Sequence, residues 1–503
     1  METSIASIIP RKRRVMTANQ SLGFDPATIP SDLYVGGQWR AGSTGARIDV
    51  VDPSTGAVIS SVADAGVDDA MAAVAAAHEA GPAWAAQPPR VRSEILRRCY
   101  ELMTERKEML AQLISLENGK ALPDARGEVA YAAEFFRWFS EEAVRLNGDI
   151  YTAPSGANKI IVQHQPIGVA VLVTPWNFPA AMATRKIAPA LAAGCTCVLK
   201  PATETPLTAF ALAAIYAEAG VPAGVVNVIT TSKAGATVSA MLHDPRVRKL
   251  SFTGSTEVGR RLLHEAADQV ISCSMELGGN APFIVFDDAD LDVAIDGAMV
   301  AKMRNGGEAC TAANRFYVQR GIMDRFAARL AERMGSLSVG IGYEEATQCG
   351  PVINKDAVER IAGLVSDAEA RGAKVLVGGK ALDRPGYYYP PTVLRDVTAD
   401  ATITREEIFG PIAALTVFDT EDEVIAAANS SEYGLISYVF TSDLSRGLRV
   451  CEKMECGMVG LNRGVVSDPA APFGGTKQSG LGREGAHDGI LEFCETKYIA
   501  ANW

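Results

Sequence analysis

Cys310 follows a glycine-rich run, Met303-Arg304-Asn305-Gly306-Gly307-Glu308-Ala309-Cys310-Thr311, where a backbone stripped of side chains leaves a thiol open to approach. A thiol attacks only as a thiolate or beside a base, and an isolated cysteine is otherwise an inert core residue. Glu276, in Met275-Glu276-Leu277-Gly278-Gly279-Asn280, is a candidate base, again with glycines clearing the approach. It could activate the thiol or a hydrolytic water; read alone, it is a surface or helix-cap carboxylate. Asn177, in Thr174-Pro175-Trp176-Asn177-Phe178-Pro179, lies just after a β-rich run, where ligands gather at the carboxyl ends of parallel strands. Its amide could donate to the oxyanion of a tetrahedral adduct, although a loop asparagine equally satisfies turn backbone. Together the three are the parts of a thiol addition to a carbonyl.

Such groups need a scaffold that brings distant segments together. From Val67 to Leu146 apolar residues recur at helical spacing, as in Leu96, Tyr100, Leu102 and Met103. Short β-rich runs then alternate with helical segments: Val169–Val173, Thr196–Leu199, Val225–Ile229 and Lys249–Phe252, separated by stretches such as Leu207–Ala219 and Ala234–Leu242. That rhythm predicts a parallel α/β sheet. A second α/β series runs through Phe283–Phe286, Arg315–Val318, Lys374–Val377 and Ile412–Phe418, with helices such as Asp356–Ala370 between, and the boundary falls near Ser274–Asn280. Ile150–Gln165 reads as a hairpin, and the tail Glu495–Trp503 contains strand-like Lys497–Ala500. Both are expected to offer edge strands to a neighbouring subunit.

Bulk properties narrow the class. At 503 residues the chain exceeds one hydrophobic core. Its composition, 48% hydrophobic and 21% charged, is that of a globular protein, with no apolar run long enough to span a bilayer. A net charge of −11 argues against nucleic acid or an anionic membrane as partner. Nine cysteines, sparse and odd in number, fit a reducing compartment, so a cytoplasmic location is expected. Neither Cys195-Thr196-Cys197 nor Cys451–Cys456 has a partner pair at metal-site spacing, and no metal is expected. The N-terminus places apolar residues before Arg11-Lys12-Arg13-Arg14, the reverse of a secretory signal, and reads as a disordered extension.

Seven ordered motifs, TPWNFP, KPATETP, FTGSTEVG, MELGGNAP, GGEACTAANR, EEIFGP and PFGGTKQSGLGREG, together resemble the aldehyde dehydrogenase superfamily over nearly the whole chain. The resemblance implies an α/β fold with a Rossmann-like cofactor domain, an α/β catalytic domain and a small β oligomerisation element. The expected division is an extended segment at 1–30, a cofactor-binding domain at 31–148 and 167–275, a catalytic domain at 276–475, and an oligomerisation element at 149–166 and 485–503. It also implies that Cys310 is the nucleophile, Glu276 the base and Asn177 an oxyanion donor. Acylating members that pass the thioester to coenzyme A generally lack that glutamate, so hydrolysis to a free acid is expected. A homo-oligomer, dimer or tetramer, is implied as well.

The literal G-x-G-x-x-G at Gly480 to Gly485 lies too near the end to open a dinucleotide-binding βαβ unit. Phe252-Thr253-Gly254-Ser255-Thr256 instead follows a strand and opens a helix, which points N–H groups at phosphate. By the resemblance, Gly254 and Ser255 lie near the pyrophosphate, Lys200 binds the adenine ribose, Glu407 and Phe409 hold the nicotinamide ribose and ring, and Trp176 joins the cofactor contacts. Thr203 stands where many NAD-selective members carry a glutamate that repels a 2′-phosphate, and Lys233 could pair with that phosphate. NADP is therefore preferred, with NAD the alternative and Glu204 arguing for it.

Arg185 and Arg304 could both face the aldehyde entrance. With Ser467 they resemble the set that binds the substrate carboxylate in the succinate-semialdehyde branch of the family, and a planar guanidinium suits that task. Either arginine could instead make a structural ion pair. The expected substrate is succinate semialdehyde, with glutarate semialdehyde or another short aldehyde as alternative. A binding protein without turnover is a further reading of the same fold. Ala312 stands where some relatives have a second cysteine, so Cys310 cannot form that vicinal disulfide. Glu308 replaces a common glutamine, and either raises the Cys310 pKa by repulsion or points away.

Overall fold

Strands that are apolar throughout need cover on both faces. Val169–Val173 and Thr196–Lys200 are buried at every position, in a computed structural model that describes residues 22–503. The expected N-terminal extension lies outside the described residues as far as residue 21. These two strands centre an eight-stranded sheet whose order is Gln38–Arg40, Leu33–Val35, Val226–Val228, Thr196–Lys200, Val169–Val173, Val247–Thr253, Ser272–Glu276 and Gly480–Leu481. The inner strands run parallel, as expected. Antiparallel edges are added at both sides, by an N-terminal hairpin and by the late segment Gly480–Leu481. Gly36 and Gly37 turn that hairpin at φ +61° and +79°, the left-handed pair that matches strand twist.

The helical stretch is four helices, Val67–Ala85, Pro89–Glu105, Lys107–Asn118 and Leu122–Glu142. Pro88, extended ahead of Pro89, separates the first two, and Gly119 ends the third in the left-handed region at φ +92°. Leu96, Leu102, Phe135, Phe136 and Phe139 interlock between them as part of one apolar cluster that continues under the first sheet. The second sheet has the order Lys374–Val377, Thr392–Arg395, Ile412–Phe418, Ala313–Gln319, Ala281–Val285, Ile436–Phe440 and Met458–Leu461. Every neighbour is parallel except the edge pair formed by Lys374–Val377. Phe283 stacks on Phe440 at 4.7 Å in its core.

The hairpin and the tail pair with each other. Cys494–Ala501 lies antiparallel to Lys159–Pro166, which pairs in turn with Asp149–Thr152. Ile150, Tyr151 and Tyr498 stand exposed on this small sheet. Among the described residues no helix is long and apolar enough to cross a membrane. The two large sheets direct strand ends and helix ends toward one region. Thr174–Asn177 follows Val169–Val173, Gly254–Ser255 follows Val247–Thr253, Glu276 ends its strand, and Arg304 follows the helix Leu291–Met303.

Candidate active site

These ends, Glu276 excepted, border a cavity of about 440 Å³. Asn177, Arg185, Arg304, Cys310 and Ser467 line it, and so do Trp176, Gly254, Ser255, Glu407 and Phe409. Cys310 follows a short 3-10 turn, Arg304–Gly307, in which Asn305 and Gly306 take left-handed φ values of +56° and +59°. Asparagine tolerates that region because its side chain bonds locally: Asn305 Nδ2 donates to the carbonyls of Asn177 and Glu308, each at 2.9 Å. Its backbone N–H donates to Asp124 Oδ2 at 3.0 Å. Gly279 backs onto the nucleophile so closely that a Cβ there would lie 2.5 Å from the Cys310 carbonyl oxygen. Burial pushes the Cys310 thiol up to about 12; Arg185 and Arg304 pull it down, while Glu407 and Glu276 push it up.

Asn177 is buried, and its Nδ2 donates to the Glu308 carbonyl at 3.1 Å, which leaves the second amide hydrogen for the cavity. The Asn177 carbonyl accepts from Lys120 Nζ at 2.6 Å. Lys120 also pairs with Glu128 Oε2 at 2.5 Å, and Glu128 Oε1 accepts the N–H groups of Ala180 and Ala181 at the start of the helix Pro179–Ala193. A buried lysine and glutamate thus clamp the loop that carries Asn177. Glu276 is 3% exposed, does not itself line the cavity, and has no hydrogen-bond partner on either carboxylate oxygen among the described residues. Burial first, and then the negative charge of Glu484, hold its carboxyl well above the ordinary range.

The two arginines differ. Arg185 is wholly buried, ion-paired with Glu484, and stacked at 4.3 Å on Phe473. Lys186 Nζ reaches the other Glu484 oxygen at 2.6 Å. Arg304 makes no ion pair among the described residues; its Nη2 lies 3.4 Å from Thr311 Oγ1 and 3.5 Å from Ser467 Oγ. A guanidinium in the cavity wall with no carboxylate in ion-pair contact among the described residues is suited to an anion.

On the other side, Glu407 Oε1 accepts the Gly279 N–H at 3.2 Å, and burial pushes its carboxyl up to about 7. Phe409 meets Trp176 edge-on at 5.3 Å. Ser255 caps the helix Thr256–Ala267, accepting from the Val258 N–H at 3.4 Å, so this N-terminus opens on the cavity. Lys200, Thr203 and Lys233 do not line the cavity. Lys200 ends its strand, buried, with Glu204 as its compensating charge; Thr203 Oγ1 donates to Glu204 Oε2 at 3.1 Å; Lys233 is exposed at the start of the helix Ala234–Leu242. The Glu308 carboxyl accepts the Ile353 N–H at 3.1 Å, and burial pushes it up to about 8.

Lys120, Glu128, Lys186, Asn305 and Glu484 escape a reading of the sequence. Two left a trace: Asn305 inside the glycine-rich run before Cys310, and Glu484 as the acid inside the Gly480 to Gly485 stretch.

Comparison with known proteins adds three kinds of likeness. The family model described as Aldehyde dehydrogenase family matches residues 39–499. A succinate-semialdehyde dehydrogenase of Paenarthrobacter nicotinovorans is 56% identical over 442 residues, covering 88% of this chain and 98% of its own length. A glutarate-semialdehyde dehydrogenase of Pseudomonas putida is 50% identical over 475 residues, 94% of this chain and 98% of its own. The crystal structure of an Escherichia coli NADP-dependent enzyme aligns with a TM-score of 0.93 at 49% identity, covering 94% of this chain and 98% of that one.

Proposed function

The chain belongs to the aldehyde dehydrogenase family, and on that premise we propose that it oxidises a short carboxylate-bearing aldehyde, succinate semialdehyde by preference, to the free acid with NAD(P). The observation that carries the substrate is Arg304: a guanidinium with no carboxylate in ion-pair contact among the described residues, beside Ser467, in the cavity that holds Cys310. Glutarate semialdehyde is the second reading, favoured by the Pseudomonas putida relative.

The residues fit a nicotinamide dinucleotide. The Ser255-capped helix N-terminus and Gly254 suit a pyrophosphate, while Glu407, Phe409 and Trp176 form a polar and aromatic wall suited to a ribose and ring. Lys200 and Thr203 suit the adenine ribose. NADP is preferred because Thr203 carries no repelling charge, with Lys233 available to a 2′-phosphate and the Escherichia coli neighbour NADP-dependent. When bound, the nicotinamide accepts the hydride that leaves the adduct carbon.

The chain's own residues perform the rest. Cys310 Sγ gives its proton to water in the cavity and adds to the aldehyde carbon, while the free Asn177 amide hydrogen meets the developing oxyanion, a contribution of about 10²–10³ in rate. After hydride loss leaves a thioester, Glu276 takes a proton from the water that attacks it, and Cys310 departs as the thiolate. A carboxylate kept proton-hungry by burial suits that role. The first sheet serves the cofactor and the second the chemistry. Exposed Ile150, Tyr151 and Tyr498 support a homo-oligomer built through the small sheet. Nine free thiols fit a cytoplasmic enzyme.

The test is direct. Purified protein is given succinate semialdehyde or butanal with NADP or NAD, and the near-ultraviolet absorbance of the reduced nicotinamide is followed. Turnover of the acid-bearing aldehyde well above butanal is expected, and loss of turnover in Cys310→Ala. Equal use of both aldehydes refutes the substrate; full turnover by Cys310→Ala refutes the nucleophile.

A further inference from the structure

The helix Leu122–Glu142 presents one face to the active site, at the spacing that stacks residues on one side. Asp124 holds the backbone of Asn305, and Glu128, four residues on, holds Lys120 and the oxyanion loop. Tyr131, three further, lines the cavity together with Arg185, Arg304 and Ser467. Phe135 continues the same face and packs edge-on against the Tyr131 ring at 4.9 Å, which fixes where its hydroxyl sits. Asp124 and Glu128 are satisfied by protein groups. The Tyr131 hydroxyl is buried; Arg185 lies close enough to donate to its oxygen, but no acceptor meets its hydrogen among the described residues.

The groups near that hydroxyl decide what it can bind. The charges that act most strongly on it are the guanidiniums of Arg185 and Arg304. Arginine carries donors only, so these neighbours can offer hydrogens to the hydroxyl oxygen but cannot accept its own. Burial holds the phenol protonated, above its ordinary range. A neutral O–H donor between two cations, with no acceptor among the described residues, calls for an anionic acceptor brought by the ligand.

We propose that Tyr131 is a specificity-determining residue whose hydroxyl donates a hydrogen bond to the far carboxylate of the substrate, beside Arg304 and Ser467. This rests on the carboxy-aldehyde reading above. Tyr131 therefore separates acid-bearing aldehydes from neutral ones of the same length, and it leaves the chemistry at Cys310 untouched.

Tyr131→Phe removes one buried hydroxyl and keeps the ring packing, so the fold and its Tm are retained. With succinate semialdehyde, kcat/KM falls about tenfold to about a hundredfold, the range of a hydrogen bond to a charged group, with the loss in KM and kcat held. With butanal, kcat/KM is unchanged. An equal loss on both aldehydes assigns Tyr131 a structural role and overturns the proposal, and so does no loss on either. If the unaltered enzyme shows no preference for succinate semialdehyde, the substrate reading falls and this proposal with it. If it shows the preference and Tyr131→Phe keeps it, only this proposal falls.

Discussion

Replacing each cavity arginine by glutamine separates their roles. Among the described residues Arg304 has no ion-paired carboxylate to abandon, and its polar contacts are two hydroxyls at 3.4 and 3.5 Å. Arg304→Gln should therefore leave the fold intact and take its toll chiefly when an acidic substrate binds. Losing one partner of a buried charge pair costs about 2–5 kcal/mol. Glutamine retains a neutral donor, so about 2–4 kcal/mol is expected, a fall of about 30-fold to about 1,000-fold in kcat/KM for succinate semialdehyde. Butanal, which never meets the guanidinium, should lose only the smaller share that Arg304 contributes by holding the Cys310 thiol down. Arg185→Gln has the opposite signature. It strips Glu484 of one of two buried cations and leaves Lys186 to carry the pair alone. Breaking such an arrangement costs about 3–5 kcal/mol, and the remaining lysine keeps the loss near the lower end. A Tm lower by several degrees is expected, with both aldehydes affected alike. Steady-state kinetics on the two aldehydes and a thermal melt of each variant read both quantities. If Arg304→Gln slowed both aldehydes equally, or if Arg185→Gln alone carried the acid-selective loss at unchanged Tm, the reasoning from counter-ions would be wrong.

Because Cys310 is pushed up to about 12, its alkylation by iodoacetamide in the cofactor-free protein should rise about tenfold per pH unit across neutral pH. A plateau near neutrality would contradict this. Glu308 has a folded pKa raised to about 8, above its unfolded value, so its burial is without cost at low pH and penalises folding increasingly as pH climbs toward 8. Glu308→Gln keeps an acceptor for the Ile353 N–H and should raise Tm more at about pH 8 than at about pH 5; equal shifts at both would refute the burial argument. Gly279→Ala drives a methyl into the Cys310 carbonyl and should lower kcat at least about tenfold by displacing the nucleophile, the sensitivity expected of reacting geometry. Unchanged single-turnover kinetics would count against it.

Val169–Val173, Ala234–Leu242 and Ile412–Phe418 are legible to the residue, because unbroken apolar runs and 3.6-residue periods report burial directly, and Lys374–Val377 is legible as a β-rich run although it lies unburied at the sheet edge. The short strands Leu33–Val35 and Gln38–Arg40 are not. Three residues are too few for a period, and they exist because the sheet edge accepts them. In the site, Cys310, Asn177, Arg304 and Ser467 stood in readable motifs and share one cavity. Lys120 and Lys186 look like solvated charges in sequence, since a lysine's surroundings are set by chain segments far away. Their burial becomes visible only with Glu128 and Glu484 in place. The choice between the carboxylate and ion-pair readings of Arg185 turned on the same unseen partner.

Glu484 and Lys186 stand 298 positions apart, and the first sheet takes its last strand, Gly480–Leu481, from the same late segment. During synthesis the ribosome delivers the two adjacent cations, then the thiol, and only near the end their counter-charge. Until then the interior around the helix Pro179–Ala193 holds uncompensated positive charge, which disfavours early closure. Pairings this remote in sequence form slowly and together. A chain halted before Glu484 therefore carries Cys310 and the two buried cations without the carboxylate that pairs with those cations and acts on Glu276.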